Sequence, residues 1–326
     1  MTPEIIFFIL SLIVLVVAGE WVIHSLVKIS RYIGLKEFVV AFFTVSIGAV
    51  APEFVIGISA ALKGVPEMSL GNVVGENIFL LTVTVALATF FTWKGLTVQS
   101  RTAQAGITFT IAVSLLPLIL IMDGELSRTD GLILVIVFFI FVSWLFSKKE
   151  RFMKIYDSEE REKNPQTKRQ VLIHVIIVLA GISLVFIAAH FLTTSAIAFS
   201  ESWGLSLTFV GIFILAIATA LPETYFAITL ARRGESWMVL GGVMGGVAIA
   251  STLVLGTVAL ISPIVVEDTS TLVMARIFLA IAALVFIVTL STSKKITKKE
   301  GTLLILIYLT FLLVEIIISD TPFYIP

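Results

Sequence analysis

Two Pro-Glu pairs, Pro52-Glu53 and Pro222-Glu223, stand inside long apolar stretches of this sequence. A carboxylate in such a stretch is costly, roughly 2.5 kcal/mol or more at the centre of a bilayer, and is a functional candidate by default. The proline ahead of it removes a backbone N–H and crowds the carbonyl four residues back. Each helix is therefore expected to break just before its Glu, freeing carbonyls around 46–50 and 216–220 as ligands. Non-helical backbone at membrane depth is tolerated only where it lines a protein cavity or an ion. Two carboxylates with several carbonyls and hydroxyls make a hard oxygen site, suited to Ca²⁺, Mn²⁺ or Mg²⁺. The chain has no Cys and only three His, so no soft-ligand cluster competes. A single intramembrane Glu is also explained as a neutral group bonded to a neighbouring helix, but two at matching positions make that explanation weak.

The elements that position these acids must lie in lipid. Hydrophobic residues make up 58% of the 326-residue chain and charged residues 13%, and the mean hydropathy is +1.10. A soluble domain of this size needs more polar surface. Ten apolar runs are long enough to span a bilayer, near 5–27, 35–63, 69–92, 103–122, 130–146, 171–200, 205–232, 238–261, 272–292 and 302–319. They are continuous rather than alternating, which predicts helices and not a barrel. The first run has no basic segment before it and reads as a retained helix rather than a cleaved signal.

Of 22 basic residues, 19 follow the first, third, fifth, seventh and ninth runs; Lys63, Arg128 and Arg276 fall on the other side. By the positive-inside rule both termini lie outside the cytoplasm in the cell membrane. The segment 147–170 mixes both signs of charge and reads as a solvated cytoplasmic linker. Nothing resembles a phosphate loop, a nucleophile triad or a basic nucleic-acid patch, so enzyme and nucleic-acid functions are not expected.

Shifted by 170 residues, the chain aligns with itself without a gap. Residues 38–88 and 208–258 share 14 identities in 51 positions, among them Pro52, Glu53, Gly64, Met68, Leu70, Gly71, Val73 and Gly75. The same register pairs Glu20 with His190 and Ser25 with Ser195. Five helices per copy is an odd number, so the second copy enters the membrane inverted. The expected fold is all-α and integral to the membrane, with ten transmembrane helices in two inverted five-helix repeats, 1–146 and 171–326. Such repeats place substrate sites at their interface near mid-membrane and support alternating access.

The run Gly48-Ala-Val-Ala-Pro52-Glu53, followed by Gly71-Asn-Val-Val-Gly75-Glu76-Asn77-Ile78, resembles the first α-repeat of the sodium/calcium exchanger family. Ala218-Thr-Ala-Leu-Pro222-Glu223, followed by Gly241-Gly-Val-Met-Gly245-Gly246, resembles the second. The resemblance implies that helices two, three, seven and eight form the site while helices one and six slide across it. It also implies a metal site of Glu53, Glu223, Thr219, Asn72 and Asn77, with no resident cofactor. Several family positions differ. Ala49, Val50 and Ala220 stand where hydroxyls are usual, Leu80 and Ala250 where an amide or carboxylate is usual, and Glu76 and Gly246 where serines are usual.

The missing oxygens remove cages that several Na⁺ ions would need, whereas Glu76 adds a third acid to the expected site. Three clustered carboxylates in low dielectric do not all stay ionised without cations, so protons can substitute for metal there. The alternative places Glu76 on a backbone group away from the site. The expected function is exchange of Ca²⁺ for H⁺ or Na⁺ by alternating access. Exchange of Mn²⁺ or Mg²⁺, and a degenerate member that no longer transports, remain open alternatives. Expected partners are inorganic cations and lipid, with the oligomeric state open. Glu20 and His24, four residues apart on the first helix, form either a proton-linked pair or a local stabilising one. Thr82, Thr84, Ser251 and Thr252 supply oxygens or bond their own backbone.

Overall fold

The computed structural model describes residues 2–32, 48–93, 95–97, 101–147, 168–234, 236–266, 269–292 and 294–320. Helix α1 is Thr2–Tyr32 and α2 is Gly48–Leu62. Helix α3 starts at Pro66–Phe79, passes through a π segment at Leu80–Thr84 and ends with Val85–Phe90. Strand β1 (Leu96–Thr97), α4 (Arg101–Leu120), β2 (Glu125–Leu126) and α5 (Arg128–Ser147) follow. The second half opens with α6 (Lys168–Trp203). Helix α7 combines Leu207–Phe209, a π segment Val210–Leu215 and Ala216–Arg232. Helix α8 combines Ser236–Ile249, a π segment Ala250–Val254 and Leu255–Ile261. Strand β3 (Ile264–Val265), α9 (Thr269–Thr292), β4 (Lys295–Ile296) and α10 (Lys298–Asp320) complete the order.

Seven of the described helices are long and apolar enough to cross a membrane, and the protein is an integral membrane protein. Their lipid-facing sides carry the exposed apolar residues: Ile6, Phe7, Ile9 and Leu10 on α1, and Leu172, Ile176 and Leu179 on α6. The N-terminal part of the expected second span, 35–47, lies outside the described residues, as does most of the linker. The helical parts encroach on that linker: Ser147 still ends α5, and Lys168–Gln170 already begin α6. Lys, Arg and Gln are good helix formers, so α6 extends beyond its apolar run.

Among the described residues, the two largest apolar clusters are separate. The larger runs through α2–α5 and α7–α10, with Val73, Leu81, Val247, Phe286 and Phe311 among its buried members. The smaller joins Leu15 and Ala18 of α1 to Val185, Ala188, Ala189, Leu192 and Ala196 of α6. It meets the rest of the bundle through Val55, Ile56 and Ala60 of α2, Met68 of α3, and Val210 and Leu215 of α7. Helices α1 and α6 thus pack mainly on each other, with small residues along the seam.

Local features recur at the 170-residue shift. The π segments at Leu80–Thr84 and Ala250–Val254 match in position, as do β2 and β4. The left-handed residues Gly124 (φ 95°) and Lys294 (φ 51°) also match. Strand β1 pairs antiparallel with β4, and β2 with β3.

Candidate cation site

Helices α3 and α7 cross with almost no side chain between them. A Cβ on Gly71 would lie 2.4 Å from the Thr208 carbonyl oxygen, and one on Gly75 would lie 2.3 Å from that of Ile212. Gly211 returns the contact against the Met68 carbonyl at 2.4 Å. This approach brings the polar positions of α3 directly against those of α7. The π segment of α7 contributes by inserting an extra residue per turn just upstream of the site, a feature frequent at functional sites.

Glu53 on α2 and Glu76 on α3 are both 3% exposed, and their carboxyls are within hydrogen-bonding reach of each other. Glu223 on α7 is close enough to both for direct charge interaction and is half-buried. Its carboxylate lies over Gly246 of α8, where a Cβ would sit 2.9 Å from Oε1 and 3.5 Å from Oε2. Glu53 and Glu76 are thus a hydrogen-bonded pair with Glu223 of a third helix in charge interaction with both, while among the described residues no three acids stand close enough together to hold one metal ion. Glu76 belongs to that pair and is not turned to a distant backbone.

Amides and hydroxyls surround the acids. Thr219 faces Glu76 and lies 3.4 Å from Asn72 Oδ1, with its hydroxyl also 3.1 Å from the Leu215 carbonyl and 3.3 Å from that of Ala216. Asn77 donates through Nδ2 to Ser251 Oγ at 2.8 Å. Its Oδ1 is buried without a hydrogen-bond partner, as are one oxygen of Glu53 and one of Glu76. Buried polar atoms are nearly always satisfied. Three orphaned oxygens on adjoining residues, with no donor aimed at them, have the chemistry of cation ligands.

The structure corrects the expected helix break. Helix α7 is continuous from Ala216 through Pro222 to Arg232, and α2 from Gly48 through Pro52 to Leu62; residues 46–47 lie outside the described residues. Pro222 deprives only the Ala218 carbonyl, four residues back, of its donor. The Ala220 carbonyl is taken by the Thr224 hydroxyl at 2.8 Å. Threonines thus cap carbonyls that were expected to serve as ligands.

Among the hydroxyls left open above, Thr82 and Thr252 bond their own helices at Ile78 and Ala248. Ser251 orients Asn77, and Thr84 pairs with Thr224 at 2.6 Å, joining α3 to α7 behind Glu223. Thr224 was not singled out from the sequence, although its place directly after Glu223 is a signal for it.

Over residues 4–147 and 173–317 the sequence matches the family described as sodium/calcium exchanger protein. The chain belongs to that family. The exchanger family is one of cation transporters, and both halves of this chain fall within the match. It is 27% identical over 260 residues to inner membrane protein YrbG of Escherichia coli, covering 78% of this chain and 79% of that one. In fold, it matches the H⁺/Ca²⁺ exchanger CAX with a TM-score of 0.76 at 19% identity, over 95% of this chain and 82% of the other. It matches the sodium-calcium exchanger NCX_Mj with a TM-score of 0.64 at 22% identity, over 94% and 97%.

Proposed function

We propose that this exchanger-family member moves Ca²⁺ across the membrane in exchange for H⁺ or Na⁺ by alternating access. The observation that carries the reading is the buried pairing of Glu53 with Glu76, in charge interaction with Glu223, with orphaned oxygens on Glu53, Glu76 and Asn77. The Glu53, Glu76 and Glu223 carboxylates, the Asn77 amide oxygen and the neighbouring Thr219 and Asn72 offer hard, anionic oxygen donors. Ca²⁺ takes six to eight oxygens and prefers such a set.

Obligatory exchange follows from electrostatics. Ionised and empty, the site would have to pass beneath an apolar gate at a cost of several kcal/mol. A divalent ion, protons or Na⁺ remove that cost, so the gate moves only over an occupied site. The ten-helix layout in two inverted repeats, 1–146 and 171–326 around a cytoplasmic linker, supplies two mirrored states. The recurrence of π segments, strands and turns at one shift supports that layout. The basic-residue bias puts both termini outside the cytoplasm.

The test is ⁴⁵Ca²⁺ uptake into vesicles containing the purified protein, driven by an imposed H⁺ gradient or an imposed Na⁺ gradient. Uptake with at least one gradient, abolished in Glu53→Gln and in Glu223→Gln, is the expected result. No uptake with either gradient, or uptake that survives both substitutions, refutes the reading. Stronger competition by Mn²⁺ or Mg²⁺ than by unlabelled Ca²⁺ would reassign the cargo.

A further inference from the structure

The turns that end α2 and α7 are the same structure. Lys63 N–H donates to the Ser59 and Ala60 carbonyls, and Gly64 N–H to that of Ala61. At the 170-residue shift, Arg233 N–H donates to Thr229 and Leu230, and Gly234 N–H to Ala231. The two glycines are left-handed, at φ 74° and 80°. Each turn therefore presents a basic side chain, Lys63 or Arg233, from one defined backbone.

The two side chains do different things. Lys63 Nζ donates to the His190 carbonyl at 2.9 Å and to Thr194 Oγ1 at 2.6 Å, both on α6. Thr194 is held in turn by its own bond to the His190 carbonyl, at 2.7 Å. Arg233 is exposed. Its neighbour Arg232 is anchored over the Phe91 ring at 4.4 Å, which fixes this turn to α3. Identical turns with unequal engagement locate the asymmetry in the position of the α1·α6 pair.

We propose that Lys63 and Arg233 are alternating latches, each clamping the α1·α6 pair to the rest of the bundle in one of the two end states of transport. This rests on the inverted-repeat exchanger reading above. In the 170-residue register, His190 corresponds to Glu20 and Thr194 to His24, both exposed on α1. Arg233 in the mirrored state meets that turn of α1, where it finds the residue-20 carbonyl and the Glu20 carboxylate. Because α1 and α6 share one core and meet the bundle through a narrow apolar seam, they shift as one body. A shift that seats 190 and 194 beneath Lys63 unseats 20 and 24 from Arg233. The latch is polar and sits at a helix end, so it holds a state without blocking the intramembrane seam.

The chain has no native Cys, which makes paired labelling clean. Lys63→Cys with Thr194→Cys, and separately His24→Cys with Arg233→Cys, are joined by a short bis-methanethiosulfonate linker in transporting vesicles. Both pairs are expected to link, and each linkage is expected to stop ⁴⁵Ca²⁺ flux until reductant is added. Lys63→Ala, added to the 24/233 pair, is expected to raise its linking rate several-fold by removing the competing latch. Thr194→Val, which removes one of two acceptors, gives a smaller rise. The proposal is overturned if the 24/233 pair never links under any cation gradient, or if Lys63→Ala leaves its rate unchanged or lower. Wild-type flux separates the two failures: flux with no 24/233 linkage sinks the latch alone, and absent flux sinks the exchanger reading.

Discussion

The Glu223 carboxylate rests on the bare backbone of Gly246, so close that a Cβ there would stand 2.9 Å from Oε1. The acid on one helix is thus seated by a missing side chain on the next. Gly246→Ala is expected to displace the carboxylate without unfolding the protein, because the far end of a flexible side chain moves at little cost. The half-saturating Ca²⁺ concentration in vesicle uptake should rise several-fold while thermal stability changes by less than about 1 kcal/mol. Unchanged affinity would mean that Glu223 does not contact the ion from this seat.

Glu76 sets a third acid beside the Glu53 and Glu223 pair of the proposed site. With Glu76→Gln, one fewer like charge competes for protons at the site. The acid limb of the uptake–pH curve should move to lower pH, and Ca²⁺ affinity should fall. A superimposable pH profile, measured as initial ⁴⁵Ca²⁺ uptake over a pH series that spans the acid limb, would remove Glu76 from the site.

Ser251 accepts from the Asn77 amide Nδ2, and the amide oxygen is left without a hydrogen-bond partner. Ser251→Ala strands a buried amide N–H, at a cost of about 1–3 kcal/mol. Lower melting temperature together with weaker Ca²⁺ binding is expected, and Ser251→Thr should restore part of both. Loss of stability with unaltered Ca²⁺ affinity would assign the bond to packing alone.

The α3–α7 crossing tolerates no added atom, because the opposing groups are backbone. Gly75→Ala would bring a Cβ within 2.3 Å of the Ile212 carbonyl oxygen and should cost at least about 2 kcal/mol, read as lost thermal stability in detergent. Gly301→Ala meets its nearest neighbours at 3.6 Å and should be neutral or slightly stabilising. Equal effects of the two substitutions would contradict the close crossing.

Much of this arrangement was legible in the residues. Two Pro-Glu pairs in one register marked Glu53 and Glu223 as candidates, and the departure from the family pattern at 76 marked Glu76, which the structure pairs with Glu53. The glycines at 71 and 75 were visible as motif positions, but their partner, the backbone of 208–212, belongs to tertiary packing and leaves no local pattern. The π segments were not legible either, since one extra residue in a uniformly apolar helix changes no periodicity. The one that lies just upstream of Pro222, at Val210–Leu215, leads into a helix that runs unbroken through the proline, and the Thr224 hydroxyl takes the Ala220 carbonyl that a break there would have freed. The difference between Ser251, which bonds the Asn77 amide, and Thr252, which bonds its own helix, depends on side-chain direction and not on residue type.

The short ladders at the bundle's tips carry a consequence for assembly. Strand β1 pairs with β4 and β2 with β3, so both ladders among the described residues draw one strand from each half. The halves are mutual templates. A polypeptide cut within 148–167 should yield fragments that are degraded when made singly and that recover flux when made together, with complementation lost if β4 is replaced by prolines.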